Sequence, residues 1–200
     1  MKLSFKGYCP DMTALPKGDL PENAVKFVEP ENEEALIKAM LPYTVPPLLV
    51  IGFVLLIRFL LHGSLGIVLN YWWVYLAYLL LFFLAAAAHE LMHAIWFPKD
   101  AVVELYITHA LWFVHSTTPV SKTRFITLCL FPNIILGLIP LVVWIFIPLS
   151  PPIGTILFAL SGTMFLSGCG DYLNSWNALR QMPKGSMQQL SGLNSYWFIP

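Results

Sequence analysis

The stretch Ala85-Ala86-Ala87-Ala88-His89-Glu90-Leu91-Met92-His93 decides how the rest of this chain is read. It closes a long apolar run, so two imidazoles and a carboxylate stand in sequence otherwise suited to hydrocarbon. Ionisable groups at membrane depth are costly, tend to face a bundle interior or a wet cavity, and are functional-site candidates by default. On a helix, His89 and His93 fall one turn apart on one face with Glu90 beside them. That H-E-x-x-H spacing suits two zinc ligands and a general base. With five His and seven Glu in 200 residues, an accidental match has a probability on the order of a few in a thousand.

The surrounding composition belongs to a membrane protein. Hydrophobic residues make up 58% and charged residues 11%, with a mean hydropathy of +0.70. The 11 basic and 11 acidic residues cancel, so no charge argument points to nucleic acid. Cys9, Cys129 and Cys169 are far apart and form no C-x-x-C pair, which gives neither a disulfide framework nor a cysteine metal site. The first forty residues hold seven acids and five lysines without an apolar core, so the first spanning segment is expected to act as the targeting signal.

The expected fold is an all-α polytopic membrane protein of about four transmembrane helices, with a short β-hairpin-like connection between helices two and three. Residues 1–44 read as a cytoplasmic polar arm, with turns at Pro10, Pro16, Gly18 and Pro21 and a short helix over Glu31 to Met40. The membrane core is expected over residues 45–180, with helices at about 46–61, 69–97, 125–147 and 153–169. A span needs about 20 residues, and about 17 suffice. Pro46 and Pro47 suit a helix start, Tyr71, Trp72 and Trp73 an interfacial belt, and Arg58 can snorkel from the end of helix one. Residues 181–200 read as an interfacial tail with breakers at Pro183 and Gly185.

Between helices two and three, Val102 to Ile107 and Leu111 to Val114 are β-prone runs separated by Thr108-His109-Ala110. They form either a hairpin or an amphipathic interfacial loop. Lysines and arginines fall in the arm, at Lys99, Lys122 and Arg124, and at Arg180 and Lys184, whereas the connections 62–70 and 149–152 have none. Both termini are therefore expected in the cytoplasm of a multi-pass protein of the cell membrane, in contact with membrane lipid.

This topology nominates a third metal ligand. Catalytic zinc takes three protein ligands and leaves one position open. A third histidine at the metzincin position is absent, because Trp96 stands where that pattern needs Gly and Lys99 where it needs His. Asp100 and Glu104 follow the helix-ending Pro98. Asp171, the only acid in the last 96 residues, ends helix four at a depth similar to that of the histidines. It leads the candidates, with His109 and His115 as alternatives that could reach back from the connection. Gly168 and Gly170 would allow close helix approach. Asn174, one turn after Asp171, reads either as a hydrogen-bond partner of that carboxylate or of a substrate carbonyl, or as an interfacial polar residue. Asn133 is a weaker candidate of the same kind.

On His89-Glu90-Leu91-Met92-His93, Gly170-Asp171-Tyr172, and more loosely "PNIILGLIP" at 132–140 and "LPENAVKFVEP" in the arm, the chain resembles the putative zincin peptidases of bacterial membranes, distant relatives of site-2 intramembrane metalloproteases. The resemblance implies Zn²⁺ held by His89, His93 and Asp171, Glu90 as base, a hairpin beside the metal, and a peptide or transmembrane protein as substrate. Two other readings stay open: a structural zinc joining helices two and four, closed by a fourth ligand such as His109 or His115, and a carrier whose His and Asp line an ion or proton path. An acid between the two histidines is needed by neither.

Overall fold

The apolar runs are helical in the computed structural model, which describes residues 1–109 and 112–200. α1 (Glu33–Met40) begins at Asn32, whose side chain accepts from the Ala35 amide, and carries Glu33 and Glu34 in its first turn. Cap and acids both answer the exposed amides and positive dipole of a helix start. α2 (Val45–His62) opens on Pro46 and Pro47 and stops at Gly63, whose left-handed φ of 66° no β-carbon obstructs. α3 (Trp72–Ala94) runs unbroken from its aromatic opening through His93.

The third segment is composite: α4 (Lys122–Pro132), a π-helical stretch Asn133–Leu138, and α5 (Ile139–Phe146). The last is α6 (Pro151–Ser167), followed after Gly168 by α7 (Cys169–Gln181) at a bend of 41°. Among the described residues, Glu33–His62, Trp72–Ala94 and Lys122–Phe146 are long and apolar enough to cross a membrane, with α6 and α7 a fourth if the bent pair is one span.

The expectation of an all-α chain is overturned. Among the described residues strand makes up 16% beside 56% helix, in seven strands and two sheets. In chain order these are β1 (Lys2–Tyr8), β2 (Val25–Lys26), β3 (Val102–Ile107), β4 (Trp112–His115), β5 (Val120–Ser121), β6 (Met187–Ser191) and β7 (Asn194–Phe198). One sheet has the order β1-β3-β4, with β1 parallel and β4 antiparallel to β3. The other has the order β2-β7-β6-β5. The β3 and β4 pairing resolves the choice between hairpin and loop in that connection; Ala110 and Leu111, part of the same reading, lie outside the described residues.

The strands escape a local reading because their partners are distant. Lys2-Leu3-Ser4-Phe5-Lys6 alternates as a strand should, yet its partner begins at Val102. β6 is masked by polarity, since Gln188 and Gln189 are 3% and 4% exposed. Its turn does carry a signal. Ser191 pairs with Asn194, so Gly192-Leu193 is a two-residue loop, and Gly192 alone of the two has positive φ, at 62°. That is the type II′ hairpin, which needs glycine first.

The chain divides into two compact units. The first comprises Met1–Leu41, Glu90–Phe131 and Asp171–Pro200. Its core gathers Phe27, Val120, Phe125, Leu128, Cys129, Ala178 and Met182, so arm, α4 and α7 bury one another's apolar surface. Each large side chain removed from water there contributes roughly 1.5–3 kcal/mol. Lys122 donates to the Leu179 and Met182 carbonyls, at 3.2 and 2.6 Å, capping the end of α7.

The second unit comprises Pro42–His89 and Pro132–Gly170 and centres on Val54, Leu141, Trp144 and Ile145. Arg58 does not snorkel outward as expected. It is 6% exposed, donates to the Leu65, Trp144 and Ile145 carbonyls, and stacks 4.3 Å from the Trp144 ring centroid. The last carbonyls of α5 lack helical partners, and a guanidinium fork satisfies several together. Gly168 serves a different neighbour from the expected zinc helix: a β-carbon there would collide with the Asn133 side-chain amide, so only glycine leaves room for that buried group.

In the first unit the arm is fastened to the tail. β2 pairs with β7, the Val28 amide donates to the Gln181 side-chain Oε1, and the Glu29 carboxylate accepts from the Ser195 amide. Burial, opposed by the Ser195 bonds and Lys26, pushes Glu29 up to about 7. A carboxyl raised from 4.5 contributes stability that is full below pH 4.5 and lost as pH rises through about 7. Amide exchange in residues 25–29 and 194–198 is therefore expected to quicken between pH 5 and pH 8 beyond its intrinsic rate, and Glu29→Gln to abolish the excess.

Candidate metal centre

An unbroken α-helix turns 3.6 residues per turn, so the four-residue spacing of His89 and His93 on α3 aligns their rings. His89, the last residue of the second unit, is thus held relative to His93 by helix geometry alone. His89, Glu90 and His93 are 6%, 8% and 7% exposed. Asp171 lies in the first turn of α7 rather than at the end of the fourth apolar helix, and its side chain is 15% exposed.

Within the first unit, His93 meets Asp171 directly. The His93 Nδ1 lies 2.9 Å from the Leu128 carbonyl on α4, which can only accept, so that nitrogen carries the proton. In the neutral ring Nε2 then presents its lone pair, and it faces the Asp171 Oδ1 at 3.4 Å. Two electron-pair donors at that distance repel unless a proton or a metal cation lies between them. His89, one turn before His93 on the same helix, is the third residue of the candidate donor set. Two ligands of a tetrahedral zinc, each ~2.0–2.1 Å from the ion, stand ~3.4 Å apart. The donor set and the His93–Asp171 spacing fit zinc, and the Leu128 bond is the kind of outer contact that fixes a metal-binding tautomer.

Glu90 lies beside this group without being part of it. Its carboxylate accepts from the Val114 backbone amide on β4 and is close enough to Asp171 to feel its charge. Neither the Leu128 carbonyl nor the Val114 amide could be foreseen, because backbone groups leave no mark in sequence.

The alternative ligands are engaged elsewhere. His109 is exposed and hydrogen-bonds the Tyr8 hydroxyl. His115 is buried, with Nε2 3.0 Å from the Gly192 carbonyl. Glu104 pairs with Lys6 at 3.0 Å and accepts from the Tyr106 hydroxyl, while Asp100 is exposed. Asn174 lies partly buried on α7 one turn after Asp171. Asn133 is 1% exposed and packs on Gly168.

Removing one ligand should strip the site. Asp171→Ala and His93→Ala are expected to fall from about one zinc per purified chain to a small fraction of that, with His109→Ala unchanged, as read by elemental analysis. Full zinc in Asp171→Ala would remove that residue from the ligand set.

Neither the curated proteins nor the solved structures searched yielded a match to this chain. One family does match, described as "Putative zincin peptidase", over residues 82–187. That span runs from the middle of α3 to the start of β6 and contains His89, Glu90, His93 and Asp171. It covers more than half of the chain, and the chain belongs to this family.

Proposed function

We propose that this chain is a membrane-embedded zinc metallopeptidase that hydrolyses a peptide bond near the cytoplasmic membrane face, with Glu90 as general base. Family membership supports the coarser statement, a zinc metallopeptidase. The finer reading rests on one observation: the lone pair of His93 faces the Asp171 carboxylate at 3.4 Å, one helical turn from His89, with a buried acid alongside.

His89, His93 and Asp171 would hold the metal. A zinc ion there supplies Lewis-acid polarisation of a carbonyl and makes water acidic enough to ionise near neutral pH. The chain's own part falls to Glu90. Its carboxylate takes a proton from the attacking water and, once protonated, gives it to the departing amine. The Val114 amide orients that carboxylate, and Leu128 keeps His93 in the required tautomer. Among the described residues β4 is an edge strand, so an extended peptide can align beside it through main-chain groups other than the Val114 amide, which Glu90 takes.

A structural zinc would need a fourth protein ligand. His109 and His115, the residues suited to that role by sequence, are bonded to Tyr8 and Gly192 instead. The carrier reading gives no task to a buried acid held by a strand amide.

Glu90→Gln tests the assignment with little change in shape. It should keep its zinc and cleave a quenched-fluorescence peptide library in detergent micelles about 10²–10⁴-fold more slowly than the parent. An unchanged rate would reject Glu90 as the base.

A further inference from the structure

Among the described residues β4 is four residues long and is held in its sheet by β3 alone. Yet its Val114 amide must stay aimed at the Glu90 carboxylate. In an antiparallel ladder, opposed residues alternate between pairs that exchange both hydrogen bonds and pairs whose amides and carbonyls point away. Val114 opposes Leu105 and gives its N–H to Glu90, so it is of the outward kind. The next residue, His115, sends its side chain to the other face.

That side chain is 2% exposed, and its Nε2–H donates to the Gly192 carbonyl at 3.0 Å. Gly192 is itself tied down at the tip of the β6 and β7 hairpin, where its amide donates to the Pro16 carbonyl at 2.9 Å. Next to His115, the Ser116 hydroxyl donates to the Val102 carbonyl at 2.7 Å. All these residues belong to the first unit. The strand that orients Glu90 is thus anchored through one imidazole to the C-terminal hairpin, and through that hairpin to the N-terminal loop.

We propose that His115 is a positioning residue, which acts through β4 and the Val114 amide to set the direction of the Glu90 carboxylate. This rests on the reading of Glu90 as the general base. The C-terminal hairpin is then a part of the catalytic machinery, although it touches none of the reacting groups. His93 and Asp171 do not depend on this anchor, because His93 is oriented from α4. Loss of the His115 bond should therefore separate catalysis from metal binding.

The test uses full-length zinc-loaded protein in detergent and compares His115→Leu, which has no donor, with His115→Gln, which keeps a side-chain N–H. Three quantities are read: zinc per chain, amide exchange in residues 112–116, and kcat and KM on β-casein. His115→Leu should keep its zinc, exchange about tenfold faster in 112–116, and lose about tenfold in kcat with KM within about twofold. His115→Gln should recover most of both losses. Should His115→Leu fail to fold, His115→Asn, polar but too short to reach Gly192, is expected to give the same pattern.

Parental exchange and kcat in His115→Leu would overturn the proposal, and so would zinc lost in step with activity. If the parent itself cleaves nothing while His115→Leu loosens 112–116, the base assignment fails and the anchor stands. If cleavage is normal and exchange is unchanged, the anchor fails and the base assignment stands.

Discussion

Burying an imidazole lone pair against a carboxylate is a constraint that the neighbouring structure must answer. At His93 and Asp171 the separation is 3.4 Å, and the Leu128 carbonyl holds the proton of the neutral ring on the far nitrogen, which turns the other nitrogen to the carboxylate. A metal cation relieves the repulsion as a second ring proton would, and His89, one turn back on the same helix, offers a metal a third ligand. Much of the first unit is explicable as support for that arrangement. α4 supplies Leu128, α7 supplies Asp171, and the apolar cluster of Phe125, Leu128, Cys129 and Ala178 packs the two against each other.

The sheets extend the same logic to Glu90. A carboxylate can be held by a side chain or by the backbone, and here β4 provides a backbone amide. A short edge strand is a poor platform unless it is tied elsewhere. The bonds from His115 to Gly192, Gly192 to Pro16, and Ser116 to Val102 supply those ties from distant parts of the chain. The termini, which read as an arm and a tail, are thereby joined around one strand.

What was legible in the sequence follows from the range of the interactions concerned. The helices and the H-E-x-x-H spacing depend on neighbours within a few residues, so periodicity and composition displayed them. Asp171 could be nominated because acids are scarce in the last half of the chain and the topology expected from the charges puts it at the depth of the histidines. The strands could not be found in the same way. β1 finds its partner about a hundred residues away, and β6 buries glutamines, which pattern reading assigns to a surface. Arg58 misled for a related reason, since a terminal arginine suits a lipid boundary as well as the carbonyl ends of α5. The two backbone groups that orient His93 and Glu90 carry no residue identity at all.

The central claim is that His89, His93 and Asp171, drawn from two stretches some eighty residues apart, form one zinc site. Zinc-edge X-ray absorption on the purified full-length protein tests it most directly. The account predicts a shell of nitrogen and oxygen at ~2.0–2.1 Å with the multiple scattering of two imidazoles. A sulfur shell at ~2.3 Å, which would bring in Cys129 or Cys169, or a protein that binds no zinc, would contradict it.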